Sequence, residues 1–465
     1  MLEPKALQLT AGSAVLGLLL AAGAVAVAGP WDSGQRTAER ARAAAQYPTG
    51  GAHHEGARPP AAGAPAPAPS AQGVLTALGE AAAPPPAGLK GTLDPLLDAP
   101  GLGPLRTASV VDVATGEQLY GKGADTPMTP ASTVKVATAV AALTALGPDH
   151  RIPTTVVADP GARRITLVGG GDPTLDTTRL RALAKDTAAA LRGRGVTGVR
   201  LFYDTSLYSG PRLHPIGVNA NIAPVTALMT DEGRVDGSTR GVAPRSADPA
   251  GDTARAFGRL LTEQGVTGAD DPAPGHPAAK RTTPLARTHS RPLSALVEHT
   301  LTHSDNDLAE ALARQTALAT GRPASFEGGG AAVRAQLGRL DVPLGGARFA
   351  DGSGLDRRDR ISAALLTALL ARAAEPGRPE LRPVLTGLPV GGFSGTLENR
   401  YGPASPGAGL VRAKTGTLTG VNALAGTVVS RGGRLLAFAF LAGRTPSPST
   451  AQPALDRLAA ALTSR

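Results

Sequence analysis

Cysteine is absent from the 465 residues. That excludes disulfide stapling, thiolate zinc sites, iron–sulfur ligation and a cysteine nucleophile. Aromatics make up only 3% of the chain, too few for the stacking platforms that single-stranded nucleic acids need. Lysine is scarce too: seven of the 47 basic residues are Lys and 40 are Arg. This bias, with Ala, Gly and Pro favoured over Asn and Lys, looks like codon pressure, and it makes every lysine worth inspecting. Gly and Pro are plentiful, 100 residues together, near the level where disorder becomes a serious reading. The 42% apolar content argues for a folded core of one or two domains beside an unfolded stretch.

Acidic residues fall short of basic ones, giving a net charge of +10. Residues 1–29 and 30–87 each sum to zero, so the excess belongs to residues 88–465, with 42 basic against 32 acidic. A basic surface suits nucleic acid, an anionic membrane or an anionic wall polymer. Nucleic acid is not favoured, because the arginines are scattered and aromatics few.

Residues 11–29, AGSAVLGLLLAAGAVAVAG, form an uncharged run of nineteen, about the length that crosses a bilayer. Ala26-Val27-Ala28 resembles a small-residue cleavage site, so a cleaved signal peptide and a retained membrane anchor both fit. Export is expected either way. Residues 30–87 read as a Pro/Ala-rich linker favouring extended conformations, with ten prolines in 58 residues. His53, His54 and Glu55 lie in it, but a solvated linker offers a metal no pre-organised partners.

Globular patterning starts near Leu89. TASVVDVATGEQLYG reads as a hairpin, and MTPASTVKVATAVAALTALGP as a strong helix started by Pro130 and Ser132 and ended by Gly147-Pro148. Short strands follow in TTVVAD, RITLVGGGDP and GVRLFYD, with a helix at 180–194. Residues 210–250 are weakly patterned. Helices are expected at 251–264, 292–302, 306–320 and 361–374. GLVRAKTGT, NALAGTVVS and RLLAFAFLAG are three closing strands, and a helix at 451–462 ends the chain.

Three short patterns carry chemistry. Ser132-Thr133-Val134-Lys135 sits in the first turn of the strong helix, where residues three apart share a face. The Lys amine can then reach the Ser hydroxyl, and the helix N-terminus favours a developing oxyanion. Alone, the pattern is also an N-cap serine followed by a solvated lysine. Ser304-Asp305-Asn306 stands ahead of the helix DLAEALARQTALATG and alone reads as a cap. Lys414-Thr415-Gly416-Thr417 lies on an apolar strand, where Lys fits an edge facing a cleft and Gly lets a ligand approach the backbone closely, although alone Lys414 reads equally as an exposed edge lysine. With 21 Ser, seven Lys and five Asn in the chain, all three patterns arise in this order by chance less than roughly one time in a hundred.

The set Ser-x-x-Lys, Ser-x-Asn, Lys-Thr-Gly resembles that of penicillin-binding proteins and serine β-lactamases. PMTPASTVKVATAVAALTALGPDHR, LVGGGDPTL, HSDNDLAEALAR, DGSGLDR and VRAKTGTLTGVNALAGTV look like the serine-type D-alanyl-D-alanine carboxypeptidases and endopeptidases. These are low-molecular-mass penicillin-binding proteins with a long insertion between the first two motifs. The likeness covers residues 89–465. It implies an α/β (α+β) transpeptidase fold, an antiparallel sheet flanked by helices. The catalytic domain would be residues 89–155 and 286–465, with an inserted α/β subdomain at 156–285. A compact β-lactamase needs only a few dozen residues between these motifs, whereas Ser132 and Ser304 stand 172 positions apart.

By the same resemblance Ser132 attacks the D-Ala-D-Ala carbonyl with Lys135 as general base. Ser304 relays the proton to the leaving amine, and Asn306 orients the Lys135 side chain and the substrate amide. Lys414 and Thr415 hold the terminal carboxylate beside Gly416. The N–H groups of Ser132 and Thr417 form the oxyanion hole. The partners implied are peptidoglycan stem peptides, β-lactams as covalent inhibitors, and a membrane through the N-terminal run if it is retained. The implied place is the cell envelope, outside the cytoplasm, and neither metal nor cofactor is needed.

In DGSGLDRRDR, Gly354, Leu355 and Arg357 are expected to line the cleft, although Asp356 stands where the family commonly has Ser. A glycine turn with a solvated charge run fits that stretch equally. GGGDP at 169–173 lacks the Lys-Ser/Thr pair of a phosphate loop, and no Gly-x-Ser-x-Gly elbow occurs. His299 and His303 share a helix face, but the sequence shows no third metal ligand, so they read as surface histidines. A β-lactamase or esterase of the same fold and a non-catalytic wall-binding protein remain the rival functions.

Overall fold

The computed structural model describes residues 88–278 and 281–463. The uncharged run at 11–29, the Pro/Ala stretch at 30–87 and the group His53, His54, Glu55 lie outside the described residues. Among the described residues no helix is long and apolar enough to cross a membrane.

The chain opens with helix α1 (Leu89–Leu97), then the hairpin strands β1 (Leu105–Asp112) and β2 (Gln118–Lys122), and α2 (Val134–Leu146). Next come β3 (Pro153–Ala158), β4 (Arg164–Val168), α3 (Thr177–Arg192), β5 (Arg200–Asp204), α4 (Pro249–Glu263), β6 (Ala273–Pro274) and β7 (Thr283–His289). A helical run follows: α5 (Leu293–His303), α6 (Asn306–Ala319), α7 (Phe326–Leu337), α8 (Ala363–Ala374) and α9 (Arg382–Thr386). Strands β8 (Val411–Leu418), β9 (Val421–Val429) and β10 (Leu435–Gly443) and helix α10 (Pro448–Ala461) close it.

The first sheet runs β2-β1-β10-β9-β8 and is antiparallel throughout. Its centre is buried on both faces, which explains the unbroken apolar run of β10 and the burial of eight of the nine residues of β9. Side chains alternate between faces. Leu436, Phe438 and Phe440 join the core under α1 and α10, where the two Phe rings stack 5.3 Å apart. Ala437, Ala439 and Leu441 face the opposite core with Val140, Leu366 and Leu370. Small alanines on that side let α2 and α8 lie close to the sheet, and burying each Phe on the other side stabilises by about 1.5–3 kcal/mol.

The second sheet runs β6-β5-β4-β3-β7 and is mixed: β3 pairs antiparallel with β4 and β7, while β4–β5 and β5–β6 are parallel. It has its own core, in which Ile165, Leu167 and Leu201 meet Leu180 and Leu183 of α3 and Phe257 and Leu261 of α4. Residues 156 and 285 fall inside the paired strands β3 and β7.

Several features differ from the expected elements, among them the unexpected first helix α1. Ser132 is not the cap of α2 but sits in a 3₁₀ turn, Ala131–Thr133, entered through a left-handed Ala131 (φ 49°). Helix α7 was hidden by its Gly328-Gly329-Gly330 run, which reads as loop. A Cβ at Gly330 would collide with the Phe349 carbonyl and one at Gly328 with the Pro323 carbonyl, so close backbone approach demands the glycines. Strand β7 was also missed, because its residues are mostly exposed or half-buried and show no apolar alternation.

Candidate active site

Helix α2 enters the middle of the core, and every residue from Val134 to Leu143 is buried. Lys135 is therefore carried inward with its amine. Its Nζ lies 3.1 Å from Ser132 Oγ, 2.7 Å from Asn306 Oδ1 and 2.6 Å from the Ser353 carbonyl. Burial pushes its pKa down to about 8, against the opposing pull of the Asp351, Asp305, Glu310 and Asp359 carboxylates.

Ser304 ends α5 in the left-handed region (φ 58°, ψ 39°). Strain of this kind in a non-glycine residue is costly and clusters at functional sites. Asp305 takes over the capping, accepting from the Leu308 N–H at 2.8 Å, which leaves the Ser304 hydroxyl free to face β8. There Lys414 Nζ donates to Ser304 Oγ at 2.8 Å and to the Thr415 carbonyl at 2.8 Å. Lys414 is fully buried, and burial followed by the nearby Lys135 ammonium holds its pKa well below the ordinary value.

Strand β8 is an edge of its sheet. The Ala413 N–H donates to the Pro389 carbonyl, and the Val411 carbonyl accepts from the Gly391 N–H, both on the side away from β9. Ladder alternation then turns the N–H and C=O groups of Thr415 and Thr417 the same way. Gly416 is where β8 passes the Ser132 turn, since a Cβ there would meet the Pro130 carbonyl at 2.7 Å and the Ala131 Cβ at 3.2 Å. The Thr417 N–H thus lies on the strand beside the Ser132 turn. Thr415 Oγ1 pairs with Thr396 Oγ1 at 2.8 Å, and Gln452 Nε2 reaches Thr417 Oγ1 at 3.3 Å.

The structure thus brings Ser132, Lys135, Ser304, Asn306 and Lys414 together, with Thr415, Gly416 and Thr417 along the adjoining edge. Arg357 is exposed, and its Nη2 donates to the Thr419 carbonyl in the β8–β9 turn. The stretch from 351 to 356 is largely buried and is not a solvated run. Gly354 (φ 84°) packs against the Ala131 carbonyl, and Leu355 is half-buried. Asp356 is buried, and its carboxylate is bound by Arg358.

Sequence reasoning missed the Ser353 carbonyl, Thr396 and Asn221, whose carbonyl accepts from Asn306 Nδ2 at 3.0 Å. Backbone groups and a lone threonine leave no pattern to find. His299 and His303 lie 4.7 Å apart, and His299 is near ligands the sequence did not bring into view, Asp305 and Glu232. Arg234 and Arg245 already neutralise Glu232 and Asp307 there. A cavity of about 1050 Å³ lies at the far end of the first sheet around Asp112, Arg372 and Arg434 and contains none of the motif residues.

Comparison with known proteins decides the family. The family model described as D-Ala-D-Ala carboxypeptidase 3 (S13) matches residues 89–240 and 234–462. The chain belongs to the S13 family.

Carboxypeptidase DacB of Mycolicibacterium smegmatis is 39% identical to this S13 chain over 420 residues, covering 86% of it and 89% of the relative. A D-alanyl-D-alanine carboxypeptidase of Actinomadura sp. (strain R39) is 30% identical over 455 residues, covering 79% and 83%. The crystal structure of penicillin binding protein 4 (dacB) from Haemophilus influenzae superposes with a TM-score of 0.66 at 23% identity, over 77% of this chain and 95% of the other. That likeness shows a shared fold. The S13 chain is a serine-type D-alanyl-D-alanine carboxypeptidase with a penicillin-binding protein fold.

Proposed function

We propose that this carboxypeptidase works through an acyl-enzyme on Ser132, releasing the terminal D-Ala of peptidoglycan stem peptides. One observation carries the reading: the contacts of Lys135. A neutral amine has two N–H bonds and one lone pair. Asn306 Oδ1 and the Ser353 carbonyl are acceptors that take the two hydrogens, so the lone pair is left aimed at Ser132 Oγ.

In the reaction the Ser132 hydroxyl loses its proton to Lys135 as Oγ bonds to the substrate carbonyl carbon. The N–H groups of Ser132 and Thr417 hold the resulting oxyanion, each such donor being worth about 3–4 kcal/mol. The proton passes by way of Ser304 to the departing D-Ala nitrogen as the peptide bond breaks. Lys414 and Thr415 hold the terminal carboxylate, whose charge raises the proton affinity of Lys414 that burial had lowered. Water then hydrolyses the ester, which regenerates Ser132. A β-lactam follows the same first step and leaves a slow ester. Asn306 holds Lys135 in place, and Arg357 stands at the β8–β9 turn, where the stem peptide would pass.

The second sheet is read as the inserted subdomain and the first sheet with its helices as the catalytic domain, two separate cores being the support. Action on stem peptides places the enzyme outside the cytoplasm. The uncharged run at 11–29 would take it there, as a cleaved signal or a retained anchor.

The test is release of D-Ala from a diacyl tripeptide ending in D-Ala-D-Ala. Wild-type protein is expected to release it, and Ser132→Ala to lose at least about a thousandfold in rate. Undiminished release by that variant sinks the assignment.

A further inference from the structure

The loop that supplies the Ser353 carbonyl is held by buried charges from outside the three motifs. Glu310 Oε1, on α6, accepts from the N–H groups of Gly352 (3.0 Å) and Ser353 (2.9 Å). Asp351 Oδ1 accepts from the Gly354 N–H at 2.6 Å, and its Oδ2 from the Asp356 N–H at 2.8 Å and Ser353 Oγ at 3.0 Å. Wrapped this way, the backbone turns two carbonyls toward α2. Gly352 accepts from Thr138 Oγ1 at 2.7 Å, and Ser353 from Lys135 Nζ at 2.6 Å. Two further groups hold Asp351: the Asp359 carboxyl, which shares a side-chain hydrogen bond with it, and, from the region between the first two motifs, His214 Nε2, 2.8 Å from Oδ2, with both the His214 and Asp351 side chains fully buried. The Ile216 N–H points at His214 Nδ1, so the ring hydrogen sits on Nε2 and is donated to Asp351.

We propose that Asp351 is a positioning residue for Lys135, latched in place by His214. Asp351 fixes the direction of the Ser353 carbonyl, and that carbonyl fixes the direction of the Lys135 lone pair. Without the latch one acceptor for the amine is free to drift, and the lone pair with it. A misplacement of this kind costs rate without removing any group that touches substrate. The proposal rests on the reading of Lys135 as the base of acylation.

The groups facing Lys135 are few. Asp305, Asn306 and Glu310 approach from α6 and its cap, Lys414 from β8, and Asp351 and Asp359 from the loop. Among the carboxylates Asp351 contributes most to keeping the ammonium form. His214 is itself faced by Glu310, Asp351 and Asp356, and by the ring of Phe326 on α7.

The experiment follows acylation by a fluorescent penicillin against pH for the full chain and for Asp351→Asn, His214→Phe and His214→Gln, each checked for a native thermal transition. Asp351→Asn is expected to lower the plateau rate at least about tenfold and to move the acid limb to lower pH, because a charge favouring the ammonium has gone. His214→Phe lowers the plateau, and His214→Gln, which restores a donor, recovers it to within about twofold. Folded variants with the wild-type plateau and limb overturn the proposal, as does a glutamine variant no better than phenylalanine. If Asp351→Asn fails to fold, the two His214 variants settle the matter. Wild-type protein that takes no label overturns the reading of the site itself; labelled wild type with unmoved variants overturns only the latch.

Discussion

Lys135 is a lysine placed where water cannot reach it, and in the proposed reaction its protonation controls the first step. Its pKa, pushed by burial down to about 8 from an ordinary 10.5, leaves the amine charged below that value and a base above it. Acylation by a penicillin should therefore climb about tenfold per pH unit below about 8 and level off above it. A flat profile through that range contradicts the role of Lys135 as base. Stability shifts with the same sign. Between about 8 and 10.5 the unfolded chain binds the proton that the folded chain has released, so stability rises with pH there and the gain is absent below about 8. Lys414, also depressed by burial, adds in the same direction.

At the scale of elements, glycine marks where backbones must touch. Gly330 on α7 has no room for a methyl against the Phe349 carbonyl. Gly330→Ala should destabilise the fold by about 1–3 kcal/mol through overpacking, read as a lowered thermal midpoint, and an unchanged midpoint would show that the loop gives way freely. The same three glycines explain why α7 was illegible: a run that sterics require looks, by propensity, like a break. Elements with strong local signals were plain in the sequence, among them the β1–β2 hairpin, the β8–β10 strands and helices α2, α6 and α8. The motif residues were legible through spacing. Illegible were the supports that long-range packing supplies: a carbonyl at Ser353, a threonine at 396, and a histidine at 214 that meets Asp351 across 137 positions of chain. Ser132 was read into the first turn of α2, and the 3₁₀ turn that holds it instead was hidden because its neighbour Ala131 adopts a left-handed conformation that no propensity signals.

At the scale of the whole molecule, the region between the first two motifs is bolted to the start of α6. The Ala223 N–H donates to Asp307 Oδ1 at 2.8 Å, the Asn221 carbonyl accepts from Asn306, and Arg245 Nη1 lies 3.0 Å from Asp307 Oδ2. Arg245 also donates to the Glu232 carbonyl at 2.6 Å, beside a Glu232 held in the left-handed region. Removing one partner of so buried a pair leaves charge without compensation. Arg245→Ala should cost about 3–5 kcal/mol in unfolding free energy, and a loss within about 0.5 kcal/mol would mean the contact is ornamental. Scarce lysine also makes sense at this scale, since two of the seven are the buried amines of one site. The most direct measurement is peptide mass spectrometry of the protein after exposure to penicillin. A covalent adduct on Ser132 is the expected result; an adduct on another residue, or none, contradicts the acyl-enzyme reading.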